Sequence, residues 1–255
     1  QLYARELVEA NRERRAIHQQ VETEATAWVM NNCDEQRDVA IVAADKRWHV
    51  GVIGIVASKL IERFYRPTIL CSVADDGTVR GSGRSIRGLD LFSALGECGD
   101  VLRNYGGHAA AAGVTLRADR VEEFRERFNQ VVRDRLAPDD FSPTVVADAE
   151  VMLGQLTPKL YRTLDRMAPF GPGNMRPVLL CRNLSHRFRP KIVGTDHLKM
   201  MVCEGGMSMD AIAFSFGNRI EEVTNAPRVS LAFTLDENEW QGRKSLQMKV
   251  KGVRV

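Results

Sequence analysis

Two glycines followed by a histidine form the most specific local feature of the chain. The segment reads Gly-Gly-His-Ala-Ala-Ala-Ala-Gly from Gly106 to Gly113. Gly106 and Gly107 allow the backbone to come close to a ligand, and successive N–H groups in such a turn can form an anion-binding concavity. His108 is then able to donate a hydrogen bond to a phosphate oxygen or a leaving group. The alternative, which the spacing alone leaves open, is a structural glycine turn capped by its histidine.

A second cluster combines glycines, hydroxyls and arginines at the end of a predicted strand. The segment Arg-Gly-Ser-Gly-Arg-Ser-Ile-Arg spans residues 80–87. The planar guanidinium of Arg84 suits a phosphate group, and the hydroxyls of Ser82 and Ser85 add neutral donors. An exposed, charged hairpin end is the alternative. The two candidate phosphate sites, at 80–87 and 106–113, lie close together in the sequence. This proximity favours phosphate binding over a purely structural role for both.

Two further glycines open a predicted helix in the segment Trp-His-Val-Gly-Val-Ile-Gly-Ile-Val-Ala-Ser-Lys, residues 48–59. Gly51 and Gly54 suit either close packing of this helix on a strand or an anion at the helix N-terminus. The spacing differs from the Gly-x-Gly-x-x-Gly pattern of dinucleotide-binding folds, so it does not indicate a nucleotide cofactor.

A cationic stripe lies in the second half of the chain. Arg187, Arg189 and Lys191 alternate with apolar residues, and a strand would place all three on one face. The same alternation predicts that Phe188 faces the core. Proteins that bind single-stranded nucleic acid combine such stripes with stacking aromatic side chains, and Trp240 is the best candidate for that role. A solvated strand face is the alternative.

Neither the histidines nor the cysteines are spaced as in a metal site. The five histidines include no His-x-x-x-His pair, and the five cysteines include no Cys-x-x-Cys pair. An odd number of scattered cysteines indicates free thiols in a reducing compartment. A catalytic metal requires several convergent oxygen or nitrogen ligands, and the sequence predicts no such set in this chain.

Hydrophobic patterning predicts a long first helix followed by an α/β domain. Apolar residues at helical spacing predict that residues 1–35 are a connecting helix. Alternating strands and helices over residues 36–136 predict a small α/β domain with a mixed sheet. Within it, the pattern predicts one helix over residues 89–105 and another over residues 119–136, the second capped by Asp119.

The pattern changes after residue 136. The stretch Ala-Pro-Asp-Asp-Phe-Ser-Pro, residues 137–143, is typical of a linker, and we assign residues 137–255 to a second domain. Several predicted strands at short spacing, one of them over residues 178–189, accompany a single predicted helix over residues 157–167. This combination predicts an all-β barrel, for which the OB-fold is the candidate at this length.

Composition and charge exclude several classes of protein. Hydrophobic residues make up 44% and charged residues 27% of the 255 residues, as in an ordinary globular protein. No apolar run approaches the roughly 20 residues of a membrane span, and no apolar signal segment lies near Gln1. These observations predict a cytoplasmic protein without a membrane partner. The net charge is only +3, and residues 1–136 contribute nothing to it, with 20 basic and 20 acidic side chains.

Four motifs together resemble the RecJ family. They are Trp-His-x-Gly-Val-Ile-Gly-Ile-Val-Ala-Ser-Lys-Leu at 48–60, Gly-Ser-Gly-Arg-Ser at 81–85, Gly-Gly-His-x-x-Ala-Ala-Gly at 106–113 and Pro-Phe-Gly-Pro-Gly-Asn at 169–174. The members of this family are single-stranded-DNA-specific 5′→3′ exonucleases of the DHH phosphoesterase superfamily, which act in DNA repair and recombination. The glycine-histidine motif alone would indicate only the DHH-associated domain. The motif at 169–174 and the barrel pattern select this family.

The chain also departs from the family. Its members carry an N-terminal catalytic domain in which aspartates and an Asp-His-His motif bind two divalent metals, usually manganese or magnesium. No Asp-His-His occurs in this sequence. The resemblance therefore implies the C-terminal half of such an enzyme, with a connecting helix, a DHH-associated domain and an OB-fold. The metals would belong to the N-terminal domain as a partner, and this chain alone is expected to bind DNA without cutting it.

The resemblance implies roles for individual residues. The glycine-histidine loop would face the metal site and hold the scissile region, with His108 supporting the transition state. Arg84 and Ser85 match positions that contact DNA phosphates at the 5′ end. Asn11 and Arg14 fall in a stretch similar to the family's Leu-Asn-x-x-Arg segment. The OB-fold would guide the single strand toward the cleft.

Other functions stay open at the level of sequence. A stand-alone single-stranded-nucleic-acid-binding module would use the barrel, but it has no need of a loop shaped for a scissile phosphate. A DHH-type phosphodiesterase of small nucleotides would have no use for a second domain with a cationic stripe. Docking of the barrel to a single-stranded-DNA-binding protein or a helicase is also open, and it is compatible with the near-neutral charge.

Overall fold

Each of two β-sheets organises one unit of the chain, and the division falls between Pro143 and Thr144. The computed structural model describes residues 2–34, 37–240 and 242–255, without the side chains of Leu2, Trp240 and Arg243. The first unit contains α1 (Leu2–Asn32), β1 (Ile41–Asp45), α2 (Ile53–Phe64), β2 (Thr68–Val73), β3 (Thr78–Arg84), α3 (Leu91–Gly96), β4 (Asn104–Gly107), β5 (Ala111–Arg117) and α4 (Val121–Arg135).

The sheet of the first unit has the order β1-β2-β3-β5-β4. β1 and β2 are parallel, and the other pairs are antiparallel. On one side, α1 and α2 pack on the sheet through buried residues that include Val21, Ala25 and Leu60. On the other side, α3 and α4 bury a second cluster that includes Phe124 and Phe128. The mixed sheet confirms the predicted α/β class of this part of the chain.

Two local predictions in this unit are wrong. The helix predicted over residues 89–105 ends at Gly96, and residues 104–107 form strand β4 instead. Glycine weakens a helix interior, and this segment gains backbone pairing with β5 when it is extended. Asp119 does not cap α4. Its carboxylate accepts from the Nε and Nη2 atoms of Arg117 at 2.9 and 2.7 Å, and α4 follows a short 3₁₀ turn, Ala118–Arg120.

The stretch predicted as a linker belongs to the first unit. Pro138–Phe141 is a 3₁₀ turn, and Phe141 packs against the hydrophobic core. The guanidinium of Arg66 lies 4.6 Å from the Phe141 ring centroid and donates to the Phe141 carbonyl at 3.3 Å. These contacts explain why the structure divides the chain after Pro143 and not at residue 137.

The second unit is rich in strands. It contains β6 (Ala149–Glu150), α5 (Pro158–Asp165), β7 (Leu179–His186), β8 (Lys191–Val193), β9 (His197–Glu204), β10 (Met207–Ala213), α6 (Ile220–Asn225), β11 (Val229–Trp240) and β12 (Arg243–Arg254). The sheet order is β6-β7-β11-β12-β10-β9-β8, and an additional pairing between β7 and β9 closes it.

The closed part of this sheet has the topology of an OB-fold. Around the barrel the strands run β7-β9-β10-β12-β11 and back to β7. β10 and β12 are parallel, whereas the other pairs in the circle are antiparallel. The short helix α6 lies between the third and fourth barrel strands in the chain. A five-stranded Greek-key barrel of this order confirms the fold predicted for this unit.

The Pro-Phe-Gly-Pro-Gly-Asn motif folds into a closed turn before the barrel. The side-chain amide of Asn174 donates to the carbonyls of Met167 and Pro169, both at 2.9 Å. Gly171 and Asn174 also form an isolated backbone bridge, and the Arg176 guanidinium lies 4.7 Å from the Phe170 ring centroid. The asparagine therefore holds the two ends of the turn together.

A buried asparagine links α4 to the start of β1, and its removal gives a test of the first unit. Asn129 is 5% exposed. Its amide accepts from Ala40 N at 2.9 Å and donates to Ala40 O at 3.1 Å. Because Asn129→Ala leaves both backbone groups unpaired in the interior, we expect the free energy of unfolding to fall by about 2 kcal/mol in urea denaturation. The exposed neighbour Gln130→Ala is the control, with a change below about 0.5 kcal/mol. Equal effects of the two variants would contradict this account.

Candidate nucleic-acid interface

Three strands of the first unit bring three predicted site residues, Ser82, Arg84 and Gly106, onto one side of the sheet. Ser82 on β3 lies opposite Gly113 on β5, which in turn lies opposite Gly106 on β4. Arg84 lies two residues beyond Ser82, on the same side. Gly106 and Gly113 are exposed, and Ser82 and Arg84 are half-buried. We call the surface formed by Ser82, Arg84, Gly106 and Gly113 the open sheet face.

The Arg84 guanidinium is the charged group of this face. Its Nη1 atom donates to the Ser82 hydroxyl at 3.2 Å and to the Gly83 carbonyl at 2.8 Å. No carboxylate among the described residues forms an ion pair with it, although several other arginines of this unit have one. A half-buried cation that is held by neutral acceptors keeps its full charge available for an anion.

Ser85 forms hydrogen bonds within the chain, and its predicted contact with a DNA phosphate stays a prediction. Its hydroxyl donates to the Leu89 carbonyl at 2.8 Å, and its backbone N–H donates to the Ala110 carbonyl at 3.0 Å. The hydroxyl proton is thus engaged within the chain. In this structure Ser85 fixes the end of β3 to the neighbouring hairpin.

The glycine-histidine motif forms the hairpin between β4 and β5. His108 N donates to the Ala111 carbonyl at 2.8 Å, which closes a two-residue loop. The carbonyls of Ala109 and Ala110 accept from Leu91 N at 2.9 Å and Ser85 N at 3.0 Å. Small side chains allow this close approach. The loop backbone is therefore fixed, while the His108 ring is exposed and bonds to none of the described residues.

Only one of the two glycines of the motif is required by the backbone geometry of the hairpin. Gly107 has a φ of +147°, and a Cβ there would lie 2.4 Å from the Ala111 carbonyl oxygen. Hairpin geometry therefore requires glycine at this position. A Cβ at Gly106 would meet no described atom within 4 Å. Gly106 thus leaves open space on the sheet face, next to the loop.

The structure does not bring Asn11 and Arg14 to the other predicted residues. Arg14 Nη2 donates to Asn11 Oδ1 at 2.9 Å, one helical turn away, and both side chains are exposed. The part of α1 that is buried against the unit begins later, with Val21 and Ala25. Their assignment to a binding site stays a prediction.

In the second unit, the cationic stripe occupies a loop and not a strand. β7 ends at His186, so Arg187 and Arg189 lie between β7 and β8, and Lys191 begins β8. Arg187 is anchored there, because its backbone N–H donates to the Met201 carbonyl and its Nη1 donates to the Ser208 hydroxyl, both at 2.8 Å. Within the described chain, no carboxylate forms an ion pair with any of the three cations.

Phe188 does not face the core, contrary to the prediction from alternation. Its side chain is 64% exposed, and the Arg187 guanidinium lies 5.8 Å from its ring centroid. The reason is that the strand has already ended, so the alternation of faces no longer applies, and Pro190 is buried in its place. An exposed phenylalanine between two arginines offers a ring face to a nucleobase.

The predicted residues lie where OB-folds bind oligonucleotides. Such barrels use the surface of their second and third strands together with the loops that connect strands one to two and four to five. Arg187, Arg189 and Lys191 lie in the first of these connections, between β7 and β9. Trp240 ends β11, where the second connection begins. Its side chain lies outside the described residues, so its stacking role stays a prediction.

Sequence reasoning missed further residues on the second barrel strand and directly after the third. Lys199 on β9 lies directly opposite Lys191 on β8, and its Nζ atom is 3.5 Å from Asp210 Oδ2. Phe214 is 45% exposed, with the His197 ring 4.9 Å and Lys249 Nζ 5.3 Å from its ring centroid. The alternation of buried and exposed residues along β9 is the signal that could have found Lys199.

The described residues contain neither a metal site nor, among the buried cysteines, a reactive thiol. No group of three or more histidine, cysteine, aspartate or glutamate side chains comes together there to hold a metal ion. Burial raises the pKa of the Cys71 and Cys181 thiols to about 12 and that of Cys98 to about 11. These thiols therefore stay protonated and are poor nucleophiles.

No described helix is long and apolar enough to cross a membrane.

The contrast between the two glycines gives a matched pair of variants. Gly107→Ala forces a side chain into the hairpin, so we expect the free energy of unfolding to fall by about 2 kcal/mol. Gly106→Ala meets open space and should change it by less than about 0.5 kcal/mol. Urea denaturation of both variants measures the difference. Equal stability of the two would mean that the described hairpin geometry is not the one in solution.

Comparison with known proteins assigns both units. Residues 37–134 match the DHHA1 domain family, and residues 147–252 match the RecJ OB domain family. The single-stranded-DNA-specific exonuclease RecJ of Bacillus subtilis is 35% identical over 254 residues, which cover 99% of this chain and 32% of the relative. The protein of the same name from Escherichia coli is 34% identical over 259 residues, with 98% and 44% covered. The chain thus spans less than half the length of these relatives.

Solved structures agree with the sequence matches. The crystal structure of RecJ from Thermus thermophilus in complex with Mn²⁺ has a TM-score of 0.78 and 26% identity, over 98% of this chain and 35% of that one. The corresponding complex with Mg²⁺ has a TM-score of 0.77 and 27% identity, with 98% and 37% covered. The resemblance seen in the sequence is confirmed, and the chain belongs to the RecJ family, of which it contains the DHHA1 and OB domains.

Proposed function

We propose that this chain is the part of a RecJ-type 5′→3′ exonuclease that binds and orients single-stranded DNA. The observation that carries the proposal is the half-buried Arg84 guanidinium on the open sheet face, which is bonded to Ser82 and Gly83 but to no described carboxylate. A cation in this state is prepared for an anionic ligand. The names of the relatives, single-stranded-DNA-specific exonucleases, indicate that the ligand is a DNA phosphate.

The open sheet face has the shape as well as the charge for a sugar–phosphate backbone. Gly106 and Gly113 have no side chains, so a strand of DNA can approach the sheet closely between Arg84 and the exposed ring of His108. In this proposal Arg84 and Ser82 bind the phosphate at the 5′ end. His108 donates a hydrogen bond to the phosphate that is cleaved, or to its leaving group.

The barrel supplies binding that does not depend on sequence. Arg187, Arg189 and Lys191 contact successive phosphates, and Phe188 stacks on a base. Lys191 lies directly opposite Lys199, so the first connection and the second barrel strand add cations to the same surface. This combination of cations and an exposed ring is typical of OB-fold surfaces that hold single strands.

Hydrolysis itself requires groups that these residues do not provide. The Thermus relatives were crystallised with Mn²⁺ or Mg²⁺, whereas the described side chains of this chain converge on no metal site. We infer that manganese or magnesium is bound by an N-terminal DHH domain, with which this chain acts as a partner. Binding and orientation by the present residues would then increase the rate of a reaction whose metal ligands lie elsewhere.

A salt series tests the proposed phosphate contacts. Anisotropy of a labelled, 5′-phosphorylated single strand gives the association constant of this chain between about 50 and 200 mM salt. Each lost phosphate contact should reduce the slope of log K against log salt by about 0.7. We therefore expect a reduction of about 0.7 for Arg84→Ala, and of about 2 for the variant with alanine at Arg187, Arg189 and Lys191.

Two further variants serve as controls in the same series. Arg182→Ala removes a barrel arginine that is already neutralised by Glu150 at 2.9 Å, so its slope should equal that of the wild type. Phe188→Ala should weaken binding by about 1–2 kcal/mol with an unchanged slope, because stacking does not release counterions. If the triple variant keeps the wild-type slope, these three cations do not contact DNA phosphates, and the proposed DNA path over the barrel is wrong.

A nuclease assay tests the division of labour. With a 5′-phosphorylated single strand and either Mn²⁺ or Mg²⁺, this chain alone should release no nucleotides above the rate of a heat-denatured sample. Addition of the DHH domain of a relative in trans is the positive arm. Release of nucleotides by the isolated chain, abolished by EDTA, would show that the metal ligands lie within it and would overturn the assignment.

A further inference from the structure

Gly54, in the first turn of α2, lies against both side chains of the proposed phosphate site. A Cβ atom at Gly54 would be 2.8 Å from Ser82 Oγ and 3.0 Å from Arg84 Nη2. Real Cβ atoms essentially never have contacts shorter than 3.0 Å unless a neighbour moves. A side chain at this position would therefore displace the hydroxyl, the guanidinium or both.

The conformation of α2 does not explain a glycine at this position. Glycine is the least helix-favouring residue after proline, and Gly54 does not have a left-handed φ that would demand it. Gly54 lies inside the helical range Ile53–Phe64. What remains is the space that the missing side chain leaves, and Ser82 and Arg84 are the residues that occupy its edge.

The Arg84 guanidinium depends on that space for its orientation. The two hydrogens of Nη1 are used by the Ser82 hydroxyl and the Gly83 carbonyl. Nη2 is the nitrogen that a Cβ atom at Gly54 would approach, at 3.0 Å. Neither Nη2 nor Nε bonds to a described residue, so these donors are available to a ligand. Nη1 is thus fixed by hydrogen bonds, and Nη2 lies beside the space that a side chain at Gly54 would fill.

We propose that Gly54 is a positioning residue for the terminal phosphate. By leaving room beside Ser82 and Arg84, it holds the guanidinium so that Nη2 and Nε point their hydrogens at a 5′-phosphate. It thereby sets the preference of the chain for 5′-phosphorylated over 5′-hydroxyl single strands. The inference rests on the proposed function, which assigns Arg84 to that phosphate.

The test compares two single strands that differ only at the 5′ end. Both carry the same sequence and a 3′ fluorophore, and one has a 5′-phosphate where the other has a 5′-hydroxyl. Anisotropy gives the ratio of their dissociation constants for this chain. The wild type should prefer the phosphorylated strand by roughly tenfold. Arg84→Ala should abolish the preference, and Gly54→Ala should reduce it at least threefold.

A double variant separates positioning from general damage. If Gly54 acts through Arg84, the variant Gly54→Ala with Arg84→Ala should have the same dissociation constant for each strand as Arg84→Ala alone. Gly96→Ala is the matched control in the same unit. A Cβ there lies at an ordinary 3.5 Å from the Tyr105 hydroxyl, so the wild-type preference should persist.

Thermal unfolding shows whether each variant is folded. Should Gly54→Ala fail to fold, the variant that combines it with Ser82→Ala removes the nearest clashing atom, and its ratio is compared with that of Ser82→Ala alone. A further loss of preference would again support the role of Gly54 toward Arg84.

Two outcomes overturn the positioning role while the phosphate site stands. One is an unchanged ratio in folded Gly54→Ala, which includes an equal loss of affinity for both strands. The other is a double variant that binds either strand more weakly than Arg84→Ala does. A different result, in which Arg84→Ala keeps the wild-type preference, overturns the phosphate site itself and the inference with it.

Discussion

The bonds of Arg84 to neutral acceptors, in place of a carboxylate, are the interaction on which the first unit's surface depends. A guanidinium that is partly removed from water needs hydrogen-bond partners, and here they come from β3 itself, as the Ser82 hydroxyl and the Gly83 carbonyl. The Ser82 hydroxyl and the Gly83 carbonyl fix the position of the guanidinium, and no described carboxylate neutralises its charge. The groups that fix the position of the guanidinium therefore do not neutralise its charge.

The surrounding elements are arranged so that this position is rigid and open at the same time. The glycine-histidine hairpin is tied to the end of β3 by the Ser85–Ala110 bond and to α3 by the Leu91–Ala109 bond. The helices α3 and α4 cover the opposite side of the sheet with a continuous apolar core. These backbone hydrogen bonds and the packing of α3 and α4 hold the sheet in place. The open sheet face therefore keeps its shape although it contains two glycines.

Much of this could be predicted from the sequence, and the errors have physical causes. The motifs around Gly106 and Arg84 are recognisable in the sequence because they depend on residue type and local spacing, and not on tertiary contacts. The helix predicted over residues 89–105 ends early, because residues 104–107 pair with β5 and this pairing stabilises a strand more than the helical spacing of apolar residues stabilises a helix. The alternation of inward and outward side chains predicts that Phe188 faces the core. β7 ends at His186, however, so the alternation does not reach Phe188. The contact of Gly54 with Arg84 joins residues 30 positions apart in the sequence, and only tertiary structure reveals it.

The lysines that face each other on β8 and β9 have a consequence for the barrel before any ligand is bound. Lys191 lies opposite Lys199, and only Lys199 has an acidic neighbour, Asp210, among the described residues. Repulsion between directly opposite like charges destabilises a sheet, and here the Asp210 carboxylate offsets part of it. A polyanion that lies between them removes this repulsion, and any ligand that binds only the native state shifts the folding equilibrium toward it. If the barrel binds an anionic strand as proposed, folding of this unit and occupancy of its surface are thermodynamically coupled, and the melting temperature of the barrel should rise with the concentration of that strand.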